Sequence, residues 1–178
     1  STDRLSALWL VLMSLGLRRG EALALRWSDF DFGAKTVRLS RSLQLRRTDE
    51  PSGRGRFRGE LVEEPPKTEG SIRTLALPPS LIDVLKQHRT RQKRERLAAV
   101  FWADPDLLFT TSAGTAIDPQ NIYKAWHGLC DRAGVRRCRP HDLRHTAASF
   151  LLLQGADMRT VMDQLGHTRM ATTSDLYT

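Results

Sequence analysis

The sequence is poor in cysteine and has no long apolar run. Its two cysteines among 178 residues cannot build a disulfide scaffold, and they indicate a reducing, cytoplasmic setting. No apolar segment approaches the roughly 20 residues that a membrane span needs. The apolar stretch Leu5–Leu17 has no basic segment before it and no small-residue cleavage site after it, so it predicts a helix rather than a signal peptide.

Acidic residues are also scarce relative to basic ones. The chain has 20 Asp and Glu against 28 Lys and Arg, which gives a net charge of +8. A basic chain makes nucleic acid the first partner to consider, ahead of acidic proteins or an anionic membrane. The excess is concentrated in the windows Lys35–Arg73, Lys86–Arg96 and Arg132–Arg144. Within the second window, the run Arg89–Arg96 is typical of the solvated face of a helix, with phosphate contact as the alternative.

The hydrophobic content of 40% is enough for a core, and the length suits one domain. Hydrophobic periodicity predicts an α+β domain that is mainly α-helical, with a small three-stranded antiparallel sheet near the first third. The predicted helices are Leu5–Leu15, Glu21–Trp27, Ser80–Ala103, Ile122–Gly134, His141–Gln154 and Asp157–Leu165, and the predicted strands are Thr36–Leu45, Glu60–Glu64 and Ser71–Leu77. Thr48–Gly59 is rich in Gly, Arg, Ser and Pro, which predicts a mobile loop, disordered or in contact with DNA or another protomer.

The segment Arg139–Thr146 combines a helix start with two chemically useful side chains. Pro140 suits the first position of a helix, and His141 and Arg144 then lie three residues apart on one face. A planar cation beside an imidazole near a helix N-terminus suits a bound phosphate. An ordinary polar helix start fits the segment equally well.

Zinc binding is an alternative for the same region. His141 and His145 have the i, i+4 spacing that zinc sites use, and Cys130 and Cys138 lie nearby in sequence. However, the helix break at Pro140 separates Cys138 from the histidines, and no Cys-x2-Cys pair exists. The pattern favours free structural cysteines and no metal.

Five other residues are weak signals when taken singly. Arg18 and Arg19 lie between two predicted helices, and Lys67 lies in a predicted turn between strands. His167 follows Gly166, a residue suited to end a helix, and Tyr177 lies near the end of the chain. Each of these residues has an ordinary structural explanation.

Taken together, in order and spacing, these segments resemble the catalytic domain of a tyrosine recombinase of the phage-integrase type. The matching segments are Gly16-Leu-Arg-Arg-Gly-Glu-Ala-Leu-Ala-Leu25 with Trp27-Ser-Asp29, Pro66-Lys-Thr-x-x-Ser-x-Arg-Thr74, His141-Asp-Leu-Arg-His-Thr146, Leu165-Gly-His-Thr168 and Thr172-Thr-x-x-x-Tyr177. The resemblance covers nearly the whole chain.

The resemblance implies a set of catalytic residues. These are Arg18, Lys67, His141, Arg144, His167 and Tyr177. Arg18 is preferred over Arg19 because the family motif places its arginine directly after Gly-Leu. Further candidates, for DNA contact, are Arg41, Arg73 and Arg139.

The resemblance also implies the reaction. Tyr177 attacks a phosphate of double-stranded DNA to form a 3′-phosphotyrosine link and a free 5′-hydroxyl, with His141 as base and Lys67 as proton donor to the leaving oxygen. Cationic side chains stabilise the transition state, and no metal, cofactor or ATP is required. Alternatives are a type IB topoisomerase, an enzyme that resolves DNA ends, or a non-catalytic DNA-binding relative. The Pro-Lys-Thr turn and the Leu-Gly-His form favour the integrase.

Family members carry more than a catalytic domain. The resemblance implies an N-terminal core-binding domain and a C-terminal tail that packs on a neighbour, and both are expected to lie outside residues 1–178. It implies a homo-tetramer on DNA for the full-length protein and a monomer for this segment alone. No membrane is expected as a partner.

Overall fold

The structure is a computed structural model that describes residues 3–52, 56–65, 72–104 and 106–166. Its helices are α1 (Ser6–Leu15), α2 (Arg19–Leu23), α3 (Pro79–Ala98), α4 (Pro119–Arg132), α5 (Asp142–Leu153) and α6 (Met158–Leu165), with a 3₁₀ turn at Trp27–Asp29. Its strands are β1 (Phe30–Asp31), β2 (Thr36–Leu39), β3 (Ser42–Ser52), β4 (Arg56–Glu64) and β5 (Arg73–Ala76). Within these ranges, no helix combines the length and the apolar character needed to cross a bilayer. The prediction of a mainly helical domain with a small antiparallel sheet is confirmed.

Helix α1 forms the centre of the core. Its residues are apolar around most of the circumference, and Leu8, Val11 and Leu15 are almost completely buried. A helix that is hydrophobic all round must be covered on all sides, and α1 contacts α2, α3 and α5. Gly16 ends it in the left-handed conformation, with φ of +62°, and donates its N–H to Leu12 O.

Gly16 also brings distant parts of the chain together. A Cβ at this position would lie 2.5 Å from Leu165 Cδ2 and 3.3 Å from Ala147 Cβ. Only glycine allows α5 and α6 to approach the end of α1 this closely. The start of α2, the first turn of α5 and the end of α6 are therefore neighbours.

The strands form two sheets rather than the single sheet that was predicted. β1, β2 and β5 make a three-stranded antiparallel sheet in which Val37 pairs with Leu75. β3 and β4 make a separate hairpin in which Leu45 pairs with Leu61. The prediction of one continuous strand at Thr36–Leu45 was wrong. The strand is interrupted at residues 40–41, where the chain passes from one sheet to the other.

The loop predicted at Thr48–Gly59 was wrong over most of its length. β3 continues to Ser52 and β4 begins at Arg56, so only residues 53–55 between them lie outside the described residues. The composition indicated a loop, but antiparallel pairing continues through this segment, with an irregularity in register between Arg47 and Pro51. Lys67, predicted in a turn between strands, lies outside the described residues.

Helix boundaries differ from the predictions at several places; α4, for example, begins at Pro119 rather than at Ile122. The predicted helix Glu21–Trp27 is replaced by α2 and the 3₁₀ turn, because Trp27 is held by its own contacts: its N–H donates to Asp106 O, and its indole N–H donates to Gln92 Oε1 at 2.7 Å. Helix α3 ends at Ala98, before the predicted Ala103. Helix α5 begins at Asp142, so Pro140 precedes the helix rather than opening it.

Candidate active site

Arg18 lies at the junction between α1 and α2. Its backbone is extended and caps α2, and its N–H donates to Glu21 Oε2 at 2.8 Å. Its guanidinium donates to Glu21 Oε1 at 3.0 Å and to Gly166 O at 3.2 Å. The side chain is still 44% exposed, so Arg18 is held in place and remains accessible from solvent.

Arg144 lies on the first turn of α5 and is only 3% exposed. Its Nη1 donates to Gly16 O at 2.5 Å, and its Nη2 donates to Leu165 O. Burial lowers the pKa of Arg144 to about 10, with repulsion from Arg18 and Arg73 adding to the effect and Glu21 opposing it. At neutral pH the group is therefore still a cation, held in a site that already contains two others.

The three arginines meet at one helix end. Three successive carbonyl oxygens, of residues 164–166 at the end of α6, each accept a hydrogen bond from a different arginine. The pairs are Arg73 Nε to Gln164 O (2.9 Å), Arg144 Nη2 to Leu165 O, and Arg18 Nη2 to Gly166 O (3.2 Å). Carbonyls at a helix C-terminus lack partners within the helix and carry its negative dipole end, so arginines stabilise this position. The cluster lies directly before His167, and residues 167–178, including Tyr177, lie outside the described residues.

Glu21 is the counter-ion of this cluster, and the sequence reasoning did not single it out. It is 6% exposed and lies between Arg18 and Arg73. Burial raises the pKa of its carboxyl, but hydrogen bonds and charge from Arg73 and Arg18 outweigh burial and hold the pKa below its ordinary value. The spacing of three residues from Arg18, in the pattern of a capping box, was the available signal.

His141 is the N-cap residue of α5 and lies next to the same cleft. His141 is exposed on one side, and its partial burial lowers the pKa of its imidazole; repulsion from His145, Arg144 and Arg139 lowers it further, against the opposing effect of Asp142. Its ring and that of His145 meet edge to face, with centroids 5.2 Å apart. A neutral imidazole at neutral pH is able to accept a proton.

A cleft of about 580 Å³ opens beside Arg18 and His141. Its walls come from the start of α2, strand β3, the first turns of α4 and the residues before α5. Arg19 lines this cleft, with its guanidinium 5.0 Å from the centre of the Tyr123 ring. The structure therefore directs Arg18 towards the arginine cluster and Arg19 towards α4.

The residues predicted to contact DNA occupy three different environments. Arg41 donates to Asp29 Oδ2 at 3.0 Å. Arg139 is 73% exposed and pairs with Asp142 at 3.0 Å. Arg73 is only 8% exposed and faces the interior.

Both cysteines are free, Cys130 buried and Cys138 exposed. In the part of the chain that the structure describes, no three His, Cys, Asp or Glu side chains are grouped so as to hold a metal ion.

The Phage integrase family model matches residues 2–178 of the chain. A XerC-like tyrosine recombinase of Caldanaerobacter subterraneus subsp. tengcongensis is 41% identical over 98% of this chain and 45% of its own length. An integrase of Saccharopolyspora erythraea is 31% identical over 89% of this chain and 46% of its own length. The chain thus spans about half the length of these relatives.

Solved structures agree in fold. The crystal structure of XerA recombinase matches with a TM-score of 0.70 and 26% identity, over 97% of this chain and 52% of that one. The Tn1549 transposon integrase, solved in complex with circular intermediate DNA, matches with a TM-score of 0.76 and 20% identity, over 98% of this chain and 55% of that one. These neighbours share the fold of tyrosine recombinase catalytic domains. The chain belongs to the phage integrase family.

Proposed function

We propose that the protein is a site-specific DNA recombinase of the integrase type, which cuts and rejoins double-stranded DNA. The observation that carries this proposal is the convergence of Arg18 and Arg144 on the end of α6, beside His141 and an open cleft. Duplex DNA as the partner is supported by the net charge of +8 and by the DNA-bound state of the Tn1549 integrase.

The two arginines stabilise the negative charge that develops on the nonbridging phosphate oxygens. Attack on a phosphodiester gives a phosphorane-like state with added negative charge on the nonbridging oxygens. Guanidinium groups donate pairs of parallel hydrogen bonds to such oxygens. Arg18 and Arg144 supply two of these groups, and His167 supplies a further donor.

Tyr177 is the nucleophile in this proposal. Its phenol has an ordinary pKa near ~10, so attack needs a base and a cationic surrounding. His141 takes the phenolic proton as the Tyr177 oxygen bonds to phosphorus. The bond from phosphorus to the 5′-oxygen breaks, and Lys67 gives a proton to that oxygen. The products are a 3′-phosphotyrosine link and a free 5′-hydroxyl.

Strand exchange and rejoining run the same chemistry in reverse with a different 5′-hydroxyl. The phosphodiester bond is exchanged for another phosphate ester, so no ATP is needed. Protein side chains carry every role in this scheme, so cleavage is expected to continue in EDTA.

The assembly forms part of the proposal. Residues 1–178 act as the catalytic domain of a longer protein in which a core-binding domain clamps the opposite face of the DNA. Four protomers act on two DNA sites. Arg139, exposed beside His141, is a candidate for phosphate contact.

A suicide substrate tests the chemistry. The full-length protein is incubated with duplex DNA nicked near the scissile phosphate, so that the cleaved end diffuses away and the covalent adduct accumulates. Wild type is expected to form an adduct and Tyr177→Phe none. Absence of an adduct with wild type would disprove the enzyme assignment. Relaxation of supercoiled DNA without exchange between two sites would favour the topoisomerase alternative.

A further inference from the structure

Arg73 is a buried cation that bridges two parts of the site. Its Nη1 and Nη2 donate to Glu21 Oε1 and Oε2, both at 3.2 Å, which is the parallel fork geometry of strong arginine–carboxylate pairs. Its Nε donates to Gln164 O at 2.9 Å. Three nitrogens of Arg73 thus donate to fixed acceptors within the protein, and one of those acceptors is a carboxylate that balances its charge.

Glu21 extends the connection to Arg18. The same two carboxylate oxygens accept the backbone N–H and the Nη1 of Arg18, at 2.8 and 3.0 Å. Arg73 on β5 therefore fixes Glu21, and Glu21 fixes Arg18, which approaches the reacting phosphate in the function proposed above.

We propose that Arg73 is a positioning residue for phosphodiester cleavage, acting through Glu21 on Arg18 and through Gln164 on the end of α6. This inference rests on the proposed function, and it replaces the expectation that Arg73 contacts DNA. Arg73 does not touch the reacting phosphate. It fixes the position and the charge state of the groups that contact the phosphate.

The charge balance makes the role measurable. Among the described residues, three charged groups face Glu21: Arg18 from the start of α2, Arg73 from β5 and Arg144 from α5. Among them Arg73 contributes most to lowering the pKa of Glu21, against a burial that raises it. Without Arg73, Glu21 is still buried, and its pKa therefore rises towards the pH range in which cleavage is measured. A protonated Glu21 no longer carries the negative charge that holds Arg18, so the variant loses activity as the pH falls.

The test is single-turnover cleavage by the full-length protein on pre-bound nicked substrate, from mildly basic to mildly acidic pH. The measured quantity is the ratio of the Arg73→Met rate to the wild-type rate, in which titrations common to both proteins cancel. We expect a loss on the order of 10-fold at the basic end that grows towards on the order of 100-fold at the acidic end.

Three further variants sharpen the result. Arg73→Lys keeps the positive charge. Its rate is expected to be several-fold below the wild-type rate, and the ratio of the two rates is expected not to change with pH. Arg73→Met in a Glu21→Gln background is compared with Glu21→Gln alone, and this ratio is also expected to stay flat because no carboxylate remains to titrate. Arg137→Met is the matched control: Arg137 forms an exposed ion pair with Asp131 at 2.6 Å and is expected to cleave bound DNA like wild type.

Two results would overturn this inference without rejecting the proposed function. A ratio for Arg73→Met that is flat with pH would mean that Arg73 only supports the fold. Normal cleavage on saturating DNA, with weaker binding and a salt slope reduced by about 1, would make it a phosphate contact. Failure of wild type to form an adduct in the same series is a separate outcome, which would reject the proposed function and this inference with it.

Discussion

Arg144 donates a hydrogen bond from Nη1 to the carbonyl oxygen of Gly16 at 2.5 Å, although 128 positions separate the two residues. Gly16 is the turn that precedes Arg18, so one direct bond sets the relative position of the two arginines assigned to the phosphate. The bond depends on the close approach of α5 and α6 to the end of α1, which only glycine at position 16 permits. The site is therefore built by backbone packing as much as by side chains.

Loss of Arg144 is expected to slow cleavage severely. Arg144→Ala removes a transition-state donor, a change that typically costs about 10²–10³-fold in rate. Arg144→Lys keeps the charge but loses the fork and is expected to recover only a small part. The measurement is the single-turnover rate on saturating pre-bound DNA, with circular dichroism to check folding. A rate within a few-fold of wild type would remove Arg144 from the proposed chemistry.

The proposed base gives the reaction a specific pH profile. Burial and the neighbouring cations hold the pKa of His141 below its ordinary value of about 6.5. A base works in its neutral form, so lowering the pH stops cleavage only once the pH falls through this depressed pKa. The second-order rate constant, measured with limiting DNA, reports the groups of the free protein, and we expect it to hold through about pH 6.5 and to fall below it. His141→Asn is expected to be slow and to lack this acid limb. A wild-type acid limb centred above about 6.5 would contradict the assignment of His141 as base.

The basic residues of Arg89–Arg96 on α3 are predicted to be of two kinds. Some stabilise the fold, and others are only solvated. Arg91 donates to the backbone oxygens of Asp3 and Arg4 and to the Nδ1 of His88, whereas Lys93, two residues later, is exposed. Arg91→Ala is expected to destabilise the fold by about 1–3 kcal/mol, because it removes three hydrogen bonds to partly buried acceptors. Lys93→Ala is expected to change stability by no more than about 0.5 kcal/mol. Urea unfolding of both variants measures their free energies of unfolding. Equal values would show that the hydrogen bonds of Arg91 do not stabilise the fold.

The sequence predicted those parts of the fold that depend on local pattern. Helices α1 and α6 follow from apolar spacing, and Gly166 was recognised as a helix end because glycine adopts the left-handed conformation easily. The predicted strands Thr36–Leu45 and Glu60–Glu64 contain the base of the β3–β4 hairpin. Its outer part was missed because its stability lies in pairing between strands, which composition at Thr48–Gly59 does not reveal.

The arrangement of the site was predictable only in part. The choice of Arg18 over Arg19 came from motif position, and the structure places Arg18 beside Glu21 and Gly166. The burial of Arg73 had no local signal, because its partners Glu21 and Gln164 lie 52 and 91 positions away. Long-range ion pairs of this kind arise from tertiary packing and leave no periodicity in the sequence.

Gly166 offers a test of the arginine cluster that needs no DNA. Gly166 and Gly134 share a φ of +66°, so alanine at either position carries the same backbone strain, of the order of 1 kcal/mol. A Cβ at 166 would in addition lie 2.8 Å from Arg73 Nη1, whereas nothing lies within 4 Å of one at 134. We therefore expect Gly166→Ala to destabilise the protein more than Gly134→Ala in urea unfolding, and the excess to shrink when Arg73→Met is also present. Equal destabilisation would mean that the guanidinium is not held against the end of α6, and the rigid coupling of Arg73 to this helix would have to be abandoned.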